Sequence, residues 1–375
     1  MFMNKDTNIN PFPENPTSAT VAIDDLLKFA VDMGASDIHC DPRHGDILVR
    51  IRRDGLMLEV GTFPKKISDE FISRLKILSG ARTDIHATPQ DGRFRAVVDS
   101  AEYNIRISFM PTYNGENAVL RLLPAKAMTP SSFSSLGFTP EHVRAIDSAL
   151  RKNNGLVLVT GPTGCGKTTT LHTCLSLKLD EPVSIVTLED PIEYEIPGIS
   201  QVHIRHSHGV SFASGLRSVL RQDPDIIMVG EIRDNETARV AVHTALTGHL
   251  VLSTLHTNSA LETIPRLIDM GIDHYLLAAT LRLIIAQRLV RTICGKCNAE
   301  GCDNCHQTGY HGRTVVTEVC DVDEKMQKLI AEQKPLADIL EYAKSRGFRP
   351  MYEDGMEKVD WGITSREELI RVLST

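Results

Sequence analysis

A glycine-rich segment, GPTGCGKT, carries the most specific chemical pattern in this sequence of 375 residues. From Gly161 to Thr168 it matches every fixed position of the phosphate-binding loop, G-x-x-x-x-G-K-[ST]. The apolar stretch LVLVT precedes it, and TTTLHTCLSL, a stretch typical of a helix, follows it. In this context the loop amides and the positive end of a helix bind phosphates. An ordinary glycine-rich turn is the alternative.

The loop predicts an ATP site in which Lys167 contacts the β- and γ-phosphates and Thr168 binds Mg²⁺. Cys165 lies inside the loop, so we expect its alkylation to inactivate the site. The predicted nucleotide-binding residues are Gly161, Pro162, Thr163, Gly164, Cys165, Gly166, Lys167, Thr168 and Thr169.

Acidic residues follow two other apolar stretches. DIIMVGEIRD places Glu231 after a predicted buried strand, where it would position or activate the attacking water. A helix-capping glutamate is the alternative there. SIVTLEDPIEYEIPG places Glu189, Asp190 and Glu193 within one turn after another such strand. Because clustered carboxylates repel one another unless a cation or proton binds among them, we expect Mg²⁺ nearby, with a solvated turn as the alternative.

His256 follows a fourth apolar stretch, HLVLSTLHTN, with Thr254, Thr257 and Asn258 around it. A histidine at the carboxyl edge of a parallel sheet can hydrogen-bond a γ-phosphate and respond to its loss. A structural histidine is the alternative, but the polar neighbours of His256 favour the phosphate-sensing role.

Four cysteines form two closely spaced pairs, Cys294-x2-Cys297 and Cys302-x2-Cys305. Four thiolates suit a closed, tetrahedral structural zinc site, and the short loop between the pairs has little apolar material of its own. A dithiol redox site and unbound thiols are the alternatives. The remaining cysteines outside the phosphate loop are interpreted as small buried residues; they are Cys40, Cys174 and Cys320.

These residues need a scaffold that brings the ends of strands together. The runs GLVLVTG, SIVTLED, DIIMVGE and HLVLSTLHT alternate with helical stretches, which is typical of a parallel sheet covered on both faces. Earlier segments, among them ILVRIRR, GRFRAVV and YNIRISFM, indicate strands of a small α+β domain. The apolar stretch from Leu276 to Val290 is interpreted as helical, and as too short to cross a bilayer because Arg282, Gln287 and Arg288 interrupt it.

Composition excludes several classes of protein. The chain has 41 Lys and Arg against 48 Asp and Glu, a formal charge of −7, and only 5% aromatic residues, so no nucleic-acid partner is expected. No segment resembles an export signal, which predicts a cytoplasmic protein whose cysteines are thiols or metal ligands.

Several of these segments resemble the signature blocks of the type II/type IV secretion-system ATPases, the GspE/PilB-like motors of type II secretion and type IV pilus assembly. The blocks are VTGPTGCGKTTTL, TLEDPIEYEIPGISQV, GLRSVLRQDPDIIMVGEIRD and ALTGHLVLSTLHTN, with ASDIHCDP, IRRDG and PQDGRFR before them and GYHGRTVVTEV after them. The resemblance implies a hexameric, Mg²⁺-dependent cytoplasmic ATPase that associates peripherally with the bacterial inner membrane. It would dock on an inner-membrane platform protein and drive the assembly of pilin-like subunits.

The resemblance also implies roles for individual residues. Lys167 and Thr168 match the phosphate loop, Glu231 the catalytic glutamate and His256 the histidine box. Glu189, Asp190 and Glu193 match the aspartate box, and Arg106 and Arg121 match arginines that the N-terminal domain presents to nucleotide. Without the resemblance, these two arginines are interpreted as solvated strand residues. Asn117 stands where most relatives carry a basic residue.

The predicted fold class is α/β, with a small α+β (PAS-like) N-terminal domain and a RecA-like parallel-sheet ATPase domain. We expect a flexible tail at 1–18, the first domain at 19–123, a hinge at 124–140 and the ATPase domain at 141–375. The last includes a zinc-binding segment at 291–312 and C-terminal helices at 320–375. The predicted function is an assembly motor that uses ATP, Mg²⁺ and Zn²⁺. A pilus-retraction motor and a non-motor scaffold that binds nucleotide and zinc are the alternatives.

Overall fold

The computed structural model describes residues 11–12, 18–125, 132–205 and 209–374. The chain divides into two compact units, Met1–Ala127 and Met128–Thr375. Most of the predicted tail at 1–18 and residues 126–131 of the predicted hinge lie outside the described residues.

The first unit is a six-stranded antiparallel sheet with two helices. Its elements are α1 (Ala19–Asp32), β1 (Asp37–Pro42), β2 (Asp46–Arg53), β3 (Leu56–Pro64), α2 (Ser68–Ser79), β4 (Gln90–Val98), β5 (Ala101–Thr112) and β6 (Gly115–Pro124). The strand order is β3-β2-β1-β6-β5-β4. The apolar side of α1, with Leu26 and Ala30, packs with Phe63 and Phe71 in one buried core, because helical spacing gathers the apolar residues on one face.

The second unit is built on a seven-stranded sheet in the order β13-β12-β7-β11-β10-β8-β9. Its strands are β7 (Gly155–Thr160), β8 (Ile185–Glu189), β9 (Ser200–His203), β10 (Ile226–Val229), β11 (Leu250–Leu255), β12 (Leu281–Ile293) and β13 (Tyr310–Asp321). Neighbouring strands are parallel except for the antiparallel pair of β12 and β13. The predicted mixed α/β fold class with a parallel sheet is confirmed.

Helices surround this sheet and close two buried cores. They are α3 (Phe133–Leu136), α4 (Pro140–Leu150), α5 (Lys167–Ser176), α6 (Phe212–Val219), α7 (Asn235–Leu246), α8 (Thr263–Asp269), α9 (His274–Thr280), α10 (Glu324–Ala331), α11 (Leu336–Ser345), α12 (Met351–Asp360) and α13 (Arg366–Leu373). Every residue of β7 and of β11 is buried, as expected for central strands covered on both faces.

The helical interpretation of the stretch from Leu276 to Val290 is wrong for most of its length. Helix α9 ends at Thr280, and Leu281 begins β12, a strand of 13 residues. β12 pairs in parallel with β7 and in antiparallel fashion with β13. A strand buried on both faces has a continuous apolar run, and periodicity alone cannot distinguish such a run from a buried helix.

The C-terminal helix α13 is fixed to β12 by a buried carboxylate. The backbone N–H of Arg291 donates to Glu368 Oε1 (3.0 Å), and its Nη2 donates to Oε2 (2.8 Å). Arg371 donates to the same carboxylate through Nε (2.8 Å) and Nη2 (2.6 Å). Although burial acts to raise it, the bonds from Arg371 and Arg291 lower the pKa of Glu368 to about 2.

Glu368→Gln should destabilise the protein at pH 7 by on the order of 3 kcal/mol, because two arginines lose a buried anionic partner. A carboxyl whose pKa is lowered by folding stabilises above its unfolded pKa, and this contribution is lost as pH falls through the folded value. The difference in urea midpoint between wild type and variant should therefore shrink as pH falls from about 4.5 towards 2. An exposed glutamate on α11 serves as the control: Glu341→Gln should change the midpoint little. A pH-independent difference for Glu368→Gln would contradict the assignment.

Candidate functional site

The phosphate-loop segment connects the end of β7 to the start of α5, as its sequence context predicted. Gly161, Gly164 and Gly166 have φ of 144°, 78° and 90°, a region that favours glycine. A Cβ at Gly161 would lie 2.5 Å from the carbonyl oxygen of Gln287, so the close approach also excludes a side chain there. Glycine is therefore required by both the backbone conformation and the contact with β12.

Lys167 folds back over this loop. Its Nζ donates to the carbonyl oxygens of Gly161 (2.8 Å) and Pro162 (3.0 Å). Burial lowers the pKa of Lys167, and the positive charge of Arg288 acts in the same direction, whereas Glu231 raises it. The ammonium group thus has neutral partners that an anion could replace.

Glu231 follows β10, one residue beyond Gly230, and its side chain is mostly buried. Arg233 Nη2 lies 2.6 Å from Glu231 Oε1, and His256 Nε2 lies 3.7 Å from Oε2. The Thr254 hydroxyl donates to the Gly230 carbonyl (2.8 Å), which fixes the ends of β10 and β11 to each other. The two strand ends therefore bring Glu231 and His256 together.

The turn that carries His256 is joined to the phosphate-loop strand. The backbone N–H of Thr257 donates to the Thr160 hydroxyl oxygen (2.8 Å), at the end of β7. Partial burial lowers the pKa of His256, and the charges of Lys167 and Arg233 lower it further, whereas Glu231 raises it. At neutral pH the imidazole is consequently neutral and able to respond to a nearby anion.

The three acids of the predicted aspartate box differ in their burial. Glu189 is buried, and its Oε1 accepts hydrogen bonds from the Thr187 hydroxyl (2.6 Å) and from Gln201 Nε2 (2.9 Å). Burial acts to raise the pKa of Glu189, but His172, Thr187 and Gln201 together lower it. Its carboxylate therefore has partners inside the fold.

Asp190 is exposed and Glu193 is half-buried, so both differ from Glu189 in their access to solvent. Asp190 is near the Glu231–Arg233 pair. The hydrogen bond with Glu231 raises the pKa of Arg233, and the charge of Asp190 adds to this effect. Asp190 is thus close enough to Arg233 for its charge to act on that guanidinium.

Two residues of β12 complete this edge, and the sequence interpretation missed both. The buried Gln287 donates through Nε2 to the Cys165 carbonyl (2.7 Å) and accepts from the Thr170 hydroxyl (2.8 Å). It therefore ties the phosphate loop and the first turns of α5 to β12. Arg288 follows it. Polar residues inside an apolar run were the available signal, but the helical interpretation of the run hid their position.

Arg106 and Arg121 lie in the first unit, directly opposite each other on β5 and β6. Arg121 Nε donates to Asp37 Oδ1 (2.9 Å). The register continues the row to Arg93 on β4 and to Arg52 on β2. Four arginines and one aspartate therefore span five strands on one face of the sheet, and the sequence singled out only two of them.

The four paired cysteines lie together, with all four sulfur atoms within 4.8 Å of one another. Cys294 and Cys302 are 3.8 Å apart between sulfurs, and Cys297 and Cys305 are 3.7 Å apart. Four thiolates around zinc at about 2.3 Å would form a tetrahedron with edges of about 3.8 Å, so the arrangement fits this metal.

Backbone N–H groups face these sulfurs. Those of Cys302 (3.2 Å) and Gly309 (3.3 Å) donate to Cys305 Sγ, and that of Gly301 donates to Cys297 Sγ (3.3 Å). Although burial acts to raise it, the amides of Cys302 and Gly309 contribute to lowering the pKa of Cys305 to about 6. Burial raises the pKa of Cys297 to about 12, so the lowered pKa is a property of Cys305 and not of the whole cluster. The backbone N–H groups that face Cys305 and Cys297 would stabilise thiolates bound to a metal.

The other cysteines are buried. This confirms the interpretation of Cys40, Cys174 and Cys320, which are 0%, 0% and 2% exposed. Cys165 is also buried, and burial raises its pKa, so the expected sensitivity to alkylation is not supported by its surroundings. None of the helices in the described ranges is both long and apolar enough to span a membrane.

Comparison with known proteins identifies the family. Residues 14–371 match the family described as "Type II/IV secretion system protein". The chain is 44% identical to "Type II secretion system protein HxcR" of Pseudomonas aeruginosa, over 93% of this chain and 76% of that protein. It is 41% identical to "Type II secretion system protein E" of Xanthomonas campestris, over 92% of this chain and 66% of that protein. It is 38% identical to "Type IV pilus assembly ATPase PilB" of Thermus thermophilus, over 96% of this chain and 44% of that protein.

Solved structures of other ATPases also resemble this chain. The pilus retraction motor PilT with bound ADP has a TM-score of 0.66 and 28% identity, covering 93% of this chain and 96% of that one. The Legionella pneumophila ATPase DotB shares the fold, with a TM-score of 0.75, 24% identity and coverage of 96% and 98%. The predicted resemblance and the prediction of an ATPase are confirmed: the chain belongs to the type II/IV secretion system protein family.

Proposed function

We propose that this chain is a hexameric motor ATPase that powers the assembly of a type IV pilus or of a type II secretion pseudopilus through an inner-membrane platform protein. The observation that carries the proposal is the convergence of the phosphate loop, Glu231 and His256 at one edge of a parallel sheet. The relatives named for type II secretion and type IV pilus assembly support these two structures as the ones that the motor would assemble. The protein would work in the cytoplasm, at the inner membrane through its partners, without nucleic acid.

The four-cysteine cluster favours assembly over retraction, because the family resemblance associates such pairs with assembly motors. The similarity to the retraction motor PilT supports the alternative of a retraction motor. This chain is 28% identical to PilT, however, and 38% identical to the pilus assembly ATPase of Thermus thermophilus. The charged groups at the sheet edge argue against a non-motor scaffold, since nucleotide binding alone would need no carboxylate such as Glu231 to orient water.

In the proposed mechanism, Lys167 leaves the carbonyls of Gly161 and Pro162 and binds the β- and γ-phosphates of ATP. The exposed Thr168, in the first turn of α5, would hold Mg²⁺, which neutralises phosphate charge when bound. Glu231 orients the attacking water once Arg233 releases its carboxylate. His256, neutral at pH 7, hydrogen-bonds the γ-phosphate and responds to its loss.

The remaining predicted residues have supporting roles in this proposal. Asp190 and Glu193 assist the metal site, and Glu189 holds the segment that carries them through its bonds to Thr187 and Gln201. Arg106 and Arg121 contact the γ-phosphate, as the family resemblance implies. Zn²⁺ bound by Cys294, Cys297, Cys302 and Cys305 stabilises the loop structurally.

Glu231→Gln should lower ATP turnover by on the order of 100-fold or more, because the amide keeps the shape but loses the charge that orients water. ATP affinity should remain, since the phosphate loop is unchanged. Phosphate release and equilibrium binding of the purified variant measure the two effects. Glu236→Gln, an exposed glutamate on α7, is the matched control and should hydrolyse ATP normally. Near-normal turnover in Glu231→Gln would exclude this residue as the catalytic carboxylate.

Elemental analysis of protein purified without chelator should give about one zinc per chain. Cys297→Ser and Cys302→Ser should each lose the metal and lower the melting temperature, because metal binding and loop folding are coupled. Cys40→Ala, which alters a buried cysteine of the first unit, should retain its zinc. Metal-free wild-type protein would refute the zinc assignment.

Arg106→Ala and Arg121→Ala should each slow ATP hydrolysis, because the γ-phosphate would lose positive charge as its bond breaks. Arg95→Ala is the control, since Arg95 is an exposed arginine on β4 that pairs with Glu102 at 3.4 Å. Circular dichroism should show intact folding in each variant. Wild-type rates in both Arg106→Ala and Arg121→Ala would assign these residues to the solvated surface of the sheet.

A further inference from the structure

Arg288 lies on β12 beside the phosphate loop and is paired with Val316 of β13. The parallel pairing of β12 with β7 extends to Ala286 opposite Thr160, so Gln287 and Arg288 lie just past the last pair. A Cβ placed on Gly161 would lie 3.2 Å from Arg288 Nη1. The guanidinium is therefore next to the first residue of the loop.

The guanidinium bridges two parts of the candidate site. Nη1 donates to the Gln287 carbonyl (3.1 Å), on the strand that supports the loop. Nη2 donates to Asn258 Oδ1 (3.2 Å) and, at 3.4 Å, to its carbonyl oxygen, two residues after His256. Arg288 thus lies between the loop that would bind phosphates and the turn that would respond to them.

The acceptors of Arg288 are neutral. Across the described part of the chain, no carboxylate lies within ion-pair distance of its guanidinium. Glu318 is close enough for Arg288 to affect its pKa, which burial raises. Its own oxygens, however, accept from the backbone N–H groups of Ala260 (2.8 Å) and Met351 (3.1 Å). A half-buried cation whose hydrogen-bond acceptors are all neutral can form a stronger, charge-assisted hydrogen bond when an anion binds.

Lys167 brings a second positive charge to the same loop. Its Nζ bonds the carbonyl of Gly161, the residue next to Arg288 Nη1. Burial lowers the pKa of Lys167, and Arg288 contributes to this shift by repulsion. Two cations that face one glycine-rich loop form the electrostatic arrangement that a phosphate group stabilises, and a planar guanidinium can bind phosphate oxygens in pairs.

We propose that Arg288 is a second phosphate-binding cation of the nucleotide site, which contacts the γ-phosphate of ATP from the same chain that supplies Lys167. This inference rests on the proposed ATPase function. On ATP binding, Arg288 exchanges a neutral acceptor at Asn258 for a phosphate oxygen, and the turn that carries His256 is released from that bond. The site then has a cation of its own chain in addition to any that Arg106 and Arg121 supply.

The test compares Arg288→Gln and Arg288→Lys with wild type in equilibrium binding of ATP and of ADP, each with Mg²⁺. Arg288→Gln should weaken ATP binding at least about tenfold, as expected for the loss of a charge-assisted hydrogen bond, and should weaken ADP binding much less. Arg288→Lys should recover part of the ATP affinity, because lysine restores the positive charge but not the paired N–H donors of the guanidinium.

The matched control is Arg282→Gln, a partly buried arginine on the same strand that also bonds backbone carbonyls, those of Ala279 and Leu281. Arg282 lies at the start of β12, away from the phosphate loop, and the variant should bind both nucleotides as wild type does. Melting temperatures without nucleotide separate a folding defect from a binding defect, because ligand stabilisation follows the affinity of the folded state.

Wild-type ATP affinity in Arg288→Gln would overturn the inference, and so would an equal loss for ATP and ADP. Failure of the proposed function gives a different result: wild-type protein itself would bind neither nucleotide, and Lys167→Ala would change nothing. The binding of ATP by wild type is therefore the reference against which Arg288 is judged.

Discussion

The parallel pairing of β7 with β11 on one side and β12 on the other is the constraint on which the rest of the site depends. It places Thr160 opposite Leu255 and Ala286, so the segments after β7 and β11 leave the sheet beside β12, which continues in its pairing with β13. The Thr160 hydroxyl then bonds the turn of β11, through the Thr257 amide and the Leu255 carbonyl. Because these bonds lie inside a close-packed sheet, the loop and the histidine turn have little freedom to move independently.

The charged groups at this edge are held by partners that a nucleotide could replace. Lys167 bonds two carbonyls, Glu231 pairs with the exposed Arg233, and Arg288 bonds Asn258. A nucleotide would offer Lys167 and Arg288 charged acceptors in place of neutral ones, and hydrogen bonds to charged acceptors are the stronger kind. By contrast, Gln287 bonds the backbone of the loop from a buried position, and its contacts would persist on binding. The site thus combines a fixed backbone with side chains that can change partners.

Away from this edge, other parts of each unit are rigid for different reasons. In the second unit, Glu368 joins α13 to β12 immediately before the cysteine loop, and the guanidinium of Arg291 lies 4.1 Å from the centre of the Tyr310 ring. The ends of the two strands that carry the loop are therefore fixed without help from the cysteines. In the first unit, Asp37 offsets the positive charge of Arg121 and Arg52, which allows arginines to stand opposite one another across the sheet.

The sequence by itself determined the features that depend on neighbours along the chain. A strand, a glycine-rich turn and a helix in succession specify the loop from Gly161 to Thr168, and two cysteine pairs four residues apart place four thiols in one short segment. Only the tertiary structure decided which distant residues join them. Gln287 and Arg288 reach the loop because β12 is a strand rather than a helix, and its apolar run fits either when buried on both faces. Likewise, Glu189 is bonded by Gln201 of the neighbouring strand β9, in addition to Thr187 of its own strand. Local spacing carries no information on such pairing, because strand order and register are set by how the whole sheet packs.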